Sequence, residues 1–160
     1  MKSYAVLMVC TGNICRSPTA HAVLQARLQA AGLSQQVRVD SAGTHGYHSG
    51  SPPDERSQRH AARRGYDLSA LRARRVTAAD FTRHDLILAM DRGHLELLRE
   101  RCPPLLHDRL QLFTRWCSRH DVQDVPDPYY GGADGFEYVL DLVEDACDGL
   151  LRHLRQQLQA

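Results

Sequence analysis

The chain has 160 residues, 42% of them hydrophobic and 24% charged, which is one domain's length with enough apolar content to bury a core unaided. Twenty basic residues against nineteen acidic leave a net charge of +1, so neither a polybasic nucleic-acid binder nor an acidic tail protein is expected. No apolar run reaches the ~18 residues of a membrane span, and the N-terminal segment lacks the apolar core and cleavage site of a signal peptide. A soluble, cytoplasmic protein without membrane insertion is expected.

Tyr4 to Val9 is a short bounded apolar run, the mark of a buried strand. Ser17-Pro18 opens a helix, serine suiting the N-cap and proline the first turn; the helix continues to Ala31, and Gly32 stops it. Val37 to Asp40 reads as a second strand, Thr44 to Pro53 as a Gly/Ser/Pro-rich loop, and Asp54 as the cap of a basic helix running to about Arg64. Asp85 to Met90 is a third buried strand, Asp91 caps a helix that Pro103-Pro104 end after Arg101, and Leu110 to Phe113 is a fourth strand. After a loop from Asp121 to Gly135, the apolar positions Phe136, Val139, Leu140, Val143, Cys147, Leu150, Leu151, Leu154 and Leu158 recur at helical spacing. The alternation predicts an α/β fold: one domain over residues 1–160, a four-stranded parallel sheet flanked by helices on both faces. Ligands of such sheets lie beyond the carboxyl ends of the strands, which makes the loop after the first strand the place to look.

Five cysteines, Cys10, Cys15, Cys102, Cys117 and Cys147, are an odd set for a disulfide framework and read as free thiols. Cys117-Ser118-Arg119-His120 is half of a zinc pattern with no second half at the usual distance, so no metal is expected.

The loop after strand one reads Cys10-Thr11-Gly12-Asn13-Ile14-Cys15-Arg16-Ser17. Successive backbone N–H groups in such a strand-to-helix loop form an anion-binding nest, and the helix dipole adds positive potential at the same place. Gly12 and Asn13 tolerate the left-handed dihedrals of a tight cradle. Arg16 adds a planar fork that grips two oxygens of one phosphate. The Gly-Lys-Ser/Thr ending of a nucleotide-binding loop is absent. The field that holds a phosphate also favours a thiolate at Cys10, which facing a bound phosphorus is a nucleophile able to form a phosphocysteine. Ser17 is placed to donate to that sulfur. Taken alone, Cys10 reads equally as a small buried residue at a strand end; the Cys-x5-Arg-Ser frame tips the balance. Cys15 is either core filler or the partner of Cys10 in a protective disulfide.

The segment Val9-Cys10-Thr11-Gly12-Asn13-Ile14-Cys15-Arg16-Ser17-Pro18 resembles the signature of the low-molecular-weight protein tyrosine phosphatases. The resemblance continues in order through Val39-Asp40-Ser41-Ala42-Gly43-Thr44, Arg72-Ala73-Arg74-Arg75-Val76, Ile87-Leu88-Ala89-Met90-Asp91 and Asp127-Pro128-Tyr129-Tyr130-Gly131. It implies a protein-tyrosine phosphatase, a phosphoric monoester hydrolase, with Cys10 as nucleophile, Arg16 as phosphate clamp and Asp127 as general acid and then base. Asn13 and Ser41 would hold the loop's shape. Tyr129 and Tyr130 would form one wall of a slot for the substrate ring, with Tyr47 opposite. Asp124 in the same loop is an equally plain turn aspartate; only the Asp-Pro-Tyr-Tyr context selects Asp127. No cofactor is implied. The implied partner is a phosphotyrosine-containing protein, a bacterial tyrosine kinase among them; neither nucleic acid nor a particular oligomeric state is implied.

The sequence departs from the family in three places. Leu71 stands where some members have a histidine that supports the loop asparagine, His94 stands where asparagine is frequent and is expected on a solvated helix face, and His45 and His48, flanking Tyr47, are expected to be solvated. The rival readings are an arsenate reductase of the same fold, for which no close downstream cysteine pair is present, and a non-enzymatic module that binds phosphotyrosine or uses its basic clusters, Arg56, Arg59, His60, Arg63, Arg64 and Arg72, Arg74, Arg75. A solvated basic face is the plainer account of those clusters.

Overall fold

The structure is a computed structural model that describes residues 2–159. Four parallel strands, β1 (Tyr4–Cys10), β2 (Val37–Gly43), β3 (Leu86–Ala89) and β4 (Leu110–Leu112), lie in the order β2-β1-β3-β4. The helices are α1 (Arg16–Ala30), α2 (Glu55–Arg63), α3 (Ala78–Arg83), α4 (Arg92–Arg101) and α5 (Ala133–Gln159), with short 3-10 turns on either side of β4.

The two-residue period of β1 divides the core. Val6, Met8 and Cys10 face one side and pack with Leu24 and Leu28 of α1 and Val143, Ala146 and Leu150 of α5. Leu7 and Val9 face the other and pack with Phe81 of α3, Leu98 of α4 and Leu110. A central parallel strand is buried on both faces, which is why β1 and β3 are apolar at nearly every position. β1 leads through α1 to β2 on one side, and β3 lies on its other side. The chain diverges at that point and opens a crevice beyond the carboxyl ends of β1 and β3.

Most predicted elements lie within a few residues of their expected bounds, and the differences have local causes. β2 extends three residues further, to Gly43, because the β1 ladder continues until Cys10 pairs with Gly43. The first helix starts at Arg16 with Cys15 as its N-cap, so Ser17 lies inside the first turn rather than capping it. α3 was not expected; a capping box, Thr77 with Asp80, starts this six-residue helix, and Phe81 anchors it. The fourth strand stops at Leu112 because Phe113 enters a 3-10 turn.

The basic clusters are largely paired. Arg64 bridges Glu137, Asp141 and Glu144 of α5, Arg74 binds Asp80 and Asp40, and Arg56 binds Asp54. His60 contacts Glu137 and stacks on Phe136. These contacts tie α2 to α5 and leave fewer free cations than the sequence suggests. The Cys117–His120 stretch is also used structurally: fully buried Asp145 accepts from the Ser118 and Arg119 backbone N–H groups and pairs with His120.

α5 crosses the turn before Cys117 at Gly149. A Cβ there would lie 2.0 Å from the Trp116 carbonyl oxygen, a backbone atom that cannot swing aside. Gly149→Ala should therefore lower stability although alanine favours a helix interior by ~1 kcal/mol over glycine. Overpacking of ~1–3 kcal/mol outweighs that gain. Thermal unfolding of the two proteins checks it: Tm should fall by several degrees, and a rise would show that α5 shifts freely.

Candidate active site

Cys10 ends β1 and Arg16 begins α1, so the chain turns from strand to helix across residues 11–15. The carbonyls of this loop are held by surrounding backbone: Cys10 O by Thr44 N, Thr11 O by His45 N and Ile14 O by Asp54 N, at 2.8, 3.0 and 2.8 Å. In a trans peptide the N–H points opposite its carbonyl, so the N–H groups of Thr11, Gly12 and Cys15 turn away from those partners, near the positive N-terminus of α1. Close approach requires Gly43, because a Cβ there would sit 2.6 Å from Thr11 O.

Asn13 is the sole non-glycine residue with positive φ among the described residues, at φ 60°. Its side chain secures that conformation from both ends: Nδ2 donates to Ser17 Oγ at 2.8 Å, and Oδ1 accepts from Arg74 N at 3.1 Å. The support expected to suffer from Leu71 thus comes from the Arg74 backbone. Because Ser17 Oγ accepts from Asn13, its own proton is free for Cys10 Sγ, 3.0 Å away; the competing acceptor, Ala42 O, is at 3.5 Å. Ser17, placed inside the helix rather than at its cap, aims its hydroxyl at the sulfur. Ser41 hydrogen-bonds His21 Nδ1 at 2.9 Å and pairs with Met8 in the β1 ladder, so its hydroxyl ties β2 to α1 rather than holding the loop as expected.

The loop's two sulfurs differ. Burial pushes the Cys15 thiol up to about 12, so it stays protonated at neutral pH. Both sulfurs line the cleft, and Cys10 is the one that meets Ser17.

Arg16 is 4% exposed and fully engaged on its inner side: Nη1 donates to Asp91 Oδ2 at 3.0 Å and to Val125 O at 2.9 Å. Nη2 lies 3.4 Å from Thr11 Oγ1 and 3.7 Å from Asp127 Oδ2. Asp127 therefore stands across the cleft mouth, its Oδ1 accepting from Tyr129 N at 3.0 Å. Its loop is anchored upstream, where buried Val125 donates to Met90 O as well as accepting from Arg16. Asp124 points elsewhere. It accepts from the Arg92 backbone and guanidinium, and those hydrogen bonds hold its carboxyl below the usual range.

The rim carries Tyr47, His48, Tyr129 and Tyr130, the last 90% exposed and edge-on to Tyr129. Tyr129 is the inner member of the pair, under the Arg56 guanidinium, which also covers Phe136. Tyr47 stacks on His45 at 5.0 Å between centroids, and His48 lies over Gly12. His45 and His48 are thus built into the rim rather than simply solvated. His94 departs furthest from expectation: it is 4% exposed and bonds Thr11 Oγ1 at 2.7 Å. Asp91, Arg56, His45 and His94 were not identifiable as site residues, since a helix cap, a basic cluster and scattered histidines each read as ordinary surface. The spacing of Asp91 and His94 was the available signal.

Comparison with known proteins agrees with this geometry. The sequence profile described as low molecular weight phosphotyrosine protein phosphatase matches residues 5–160. A low molecular weight protein-tyrosine-phosphatase of Streptomyces coelicolor is 45% identical across 98% of this chain and 97% of its own length. The human low molecular weight phosphotyrosine protein phosphatase is 37% identical across 92% and 93%. A crystal structure of a protein tyrosine phosphatase from Entamoeba histolytica with Hepes in its active site superposes with a TM-score of 0.94 at 39% identity, covering 97% of this chain and 99% of that one. The chain belongs to the low molecular weight phosphotyrosine protein phosphatase family.

Proposed function

We infer that this protein hydrolyses the phosphate ester of phosphotyrosine in proteins through a phosphocysteine intermediate. The observation that carries the reading is the placement of Cys10 Sγ at the start of this strand-to-helix loop, with Ser17 at 3.0 Å and Asp127 beside Arg16 at the mouth. A phosphate dianion seated in the loop is gripped by the loop's N–H groups and Arg16. Cys10 Sγ attacks phosphorus, forming the S–P bond as the bond to the phenolic oxygen breaks. Asp127 gives its proton to that oxygen. Asp127, now a carboxylate, takes a proton from water as the water attacks the phosphocysteine; phosphate departs and the thiolate returns to the hydrogen bond of Ser17. The flat slot between Tyr47 and Tyr129 favours an aryl ester. A reducing, cytoplasmic setting belongs to the same reading because it keeps Cys10 reduced. We include a bacterial tyrosine kinase among the protein substrates, on the strength of the family resemblance.

Cys10→Ser should reduce aryl phosphate turnover roughly a thousandfold or more while phosphate or vanadate still binds, since the cradle is backbone. Residual turnover near wild type would remove Cys10 from its role. Arg16→Lys should weaken both binding and turnover, because a point charge cannot reproduce the fork.

Turnover plotted against leaving-group pKa separates the two aspartates. Asp127→Asn should slow substrates with poor phenol leaving groups by roughly 10²–10⁴-fold and those with acidic phenols much less. Asp124→Asn should follow wild type. The opposite pattern would exchange the assignment.

A further inference from the structure

We propose that His94 is a positioning residue for phosphate capture, closing a hydrogen-bonded ring of Arg16, Asp91, His94 and Thr11 that fixes the arginine fork over the loop. This deepens the reading of the same site and rests on it.

The ring can be followed atom by atom. Arg16 Nη1 donates to Asp91 Oδ2 at 3.0 Å. The other carboxylate oxygen, Asp91 Oδ1, accepts the backbone N–H of His94 at 2.8 Å, the bond that caps α4. The imidazole then reaches from the first turn of α4 to the phosphate loop, where Nε2 meets Thr11 Oγ1 at 2.7 Å. Thr11 Oγ1 faces Arg16 Nη2 at 3.4 Å and completes the circuit. Removing the imidazole would leave Thr11 without its closest partner and free to turn from Arg16, whose Nη1 would keep Asp91 and Val125 while Nη2 kept only Asp127 at 3.7 Å.

His94 Nδ1 identifies which way the ring runs. It is buried without an aligned hydrogen bond, and lies 3.1 Å from Asp91 Oδ1. A lone pair on Nδ1 would face a carboxylate oxygen at that distance, so the neutral ring carries its proton there. Nε2 is then the acceptor, the Thr11 hydroxyl donates to it, and the Thr11 oxygen turns its lone pairs towards Arg16. Burial and the facing charge of Arg16 push the imidazole down to about 4, and His45 acts in the same direction; Asp91 and Asp127 oppose them without prevailing. The ring is therefore neutral, and its direction fixed, at neutral pH. A cationic imidazole would donate from Nε2 and reverse the Thr11 hydroxyl. The buried, unaligned Nδ1 is a local expense of folding. Its counterpart is an arginine whose orientation is set before phosphate arrives, so less ordering accompanies binding.

The test measures phosphate binding by calorimetry and steady-state kinetics on an aryl phosphate for the wild type, His94→Leu, His94→Gln, Thr11→Val and the double variant His94→Leu/Thr11→Val. His94→Leu should weaken phosphate binding and lower kcat/KM, each on the order of 3- to 10-fold, the worth of one buried hydrogen bond. Gln, whose terminal amide reaches the place of Nε2, should recover most of that loss. Thr11→Val should match His94→Leu, and the double variant should be no worse than either, because each cut opens the same ring. Losses that multiply in the double variant, no recovery by Gln, or wild-type phosphate binding in both His94→Leu and Thr11→Val would overturn the proposal. Should His94→Leu fail to fold, Thr11→Val and His94→Gln decide alone: equal phosphate binding by wild type and Thr11→Val overturns the ring. Phosphate binding lost in these variants of a wild type that hydrolyses no aryl phosphate would keep the ring and sink the phosphatase reading. An active wild type with unaltered binding in the variants would sink the ring alone.

Discussion

The site depends on keeping Asn13 in the left-handed region so that the chain can turn from Cys10 into α1 within the residues between them. An L-residue other than glycine incurs ~1–2 kcal/mol there. Two side-chain hydrogen bonds, to Ser17 Oγ and from Arg74 N, offset it at ~1 kcal/mol each. The same two bonds do more than hold the turn. The first consumes a lone pair of Ser17 and frees its proton for Cys10; the second fastens the loop to the segment that follows α2. Loop conformation and sulfur chemistry are thus set by one asparagine side chain.

Around that turn, the site draws on every strand end. β1 supplies Cys10, β2 ends at Gly43 where the loop backbone passes close, β3 leads into Asp91, and the segment after β4 returns through Val125 to Asp127. Arg16 is where these contributions meet, since it contacts Thr11 of the loop after β1, Asp91 after β3, and Val125 and Asp127 of the segment after β4. An arginine so constrained is a rigid fork, and a bound dianion meets donors that are already ordered.

Charge pairing divides the remaining ionisable residues between structure and chemistry. Asp124 is committed to Arg92 at the start of α4, and Asp145 to the backbone after Cys117. Both carboxyls are held below their usual range, Asp145 at about 2. Asp127 keeps one oxygen on its own loop and leaves the other towards the cleft. Two aspartates three residues apart thereby have different partners, one held by Arg92 and one facing the cleft.

The strand-and-helix order, the two-faced burial of β1 and β3, and the loop from Cys10 to Ser17 were all legible from the residues. These rest on local signals: apolar runs, proline and glycine punctuation, and the chemistry of a contiguous motif. The sequence could not separate Asp127 from Asp124 without the resemblance, because both are turn aspartates until Arg92 takes one of them. It placed Ser17 at a cap and His94 on a wet surface, since residue type says nothing of what a fold brings beside it. Tertiary structure decided those matters. Thr11 and His94 are 83 residues apart in the chain and 2.7 Å apart in space, and such a contact exists only once the parallel strands have set the ends of β1 and β3 side by side.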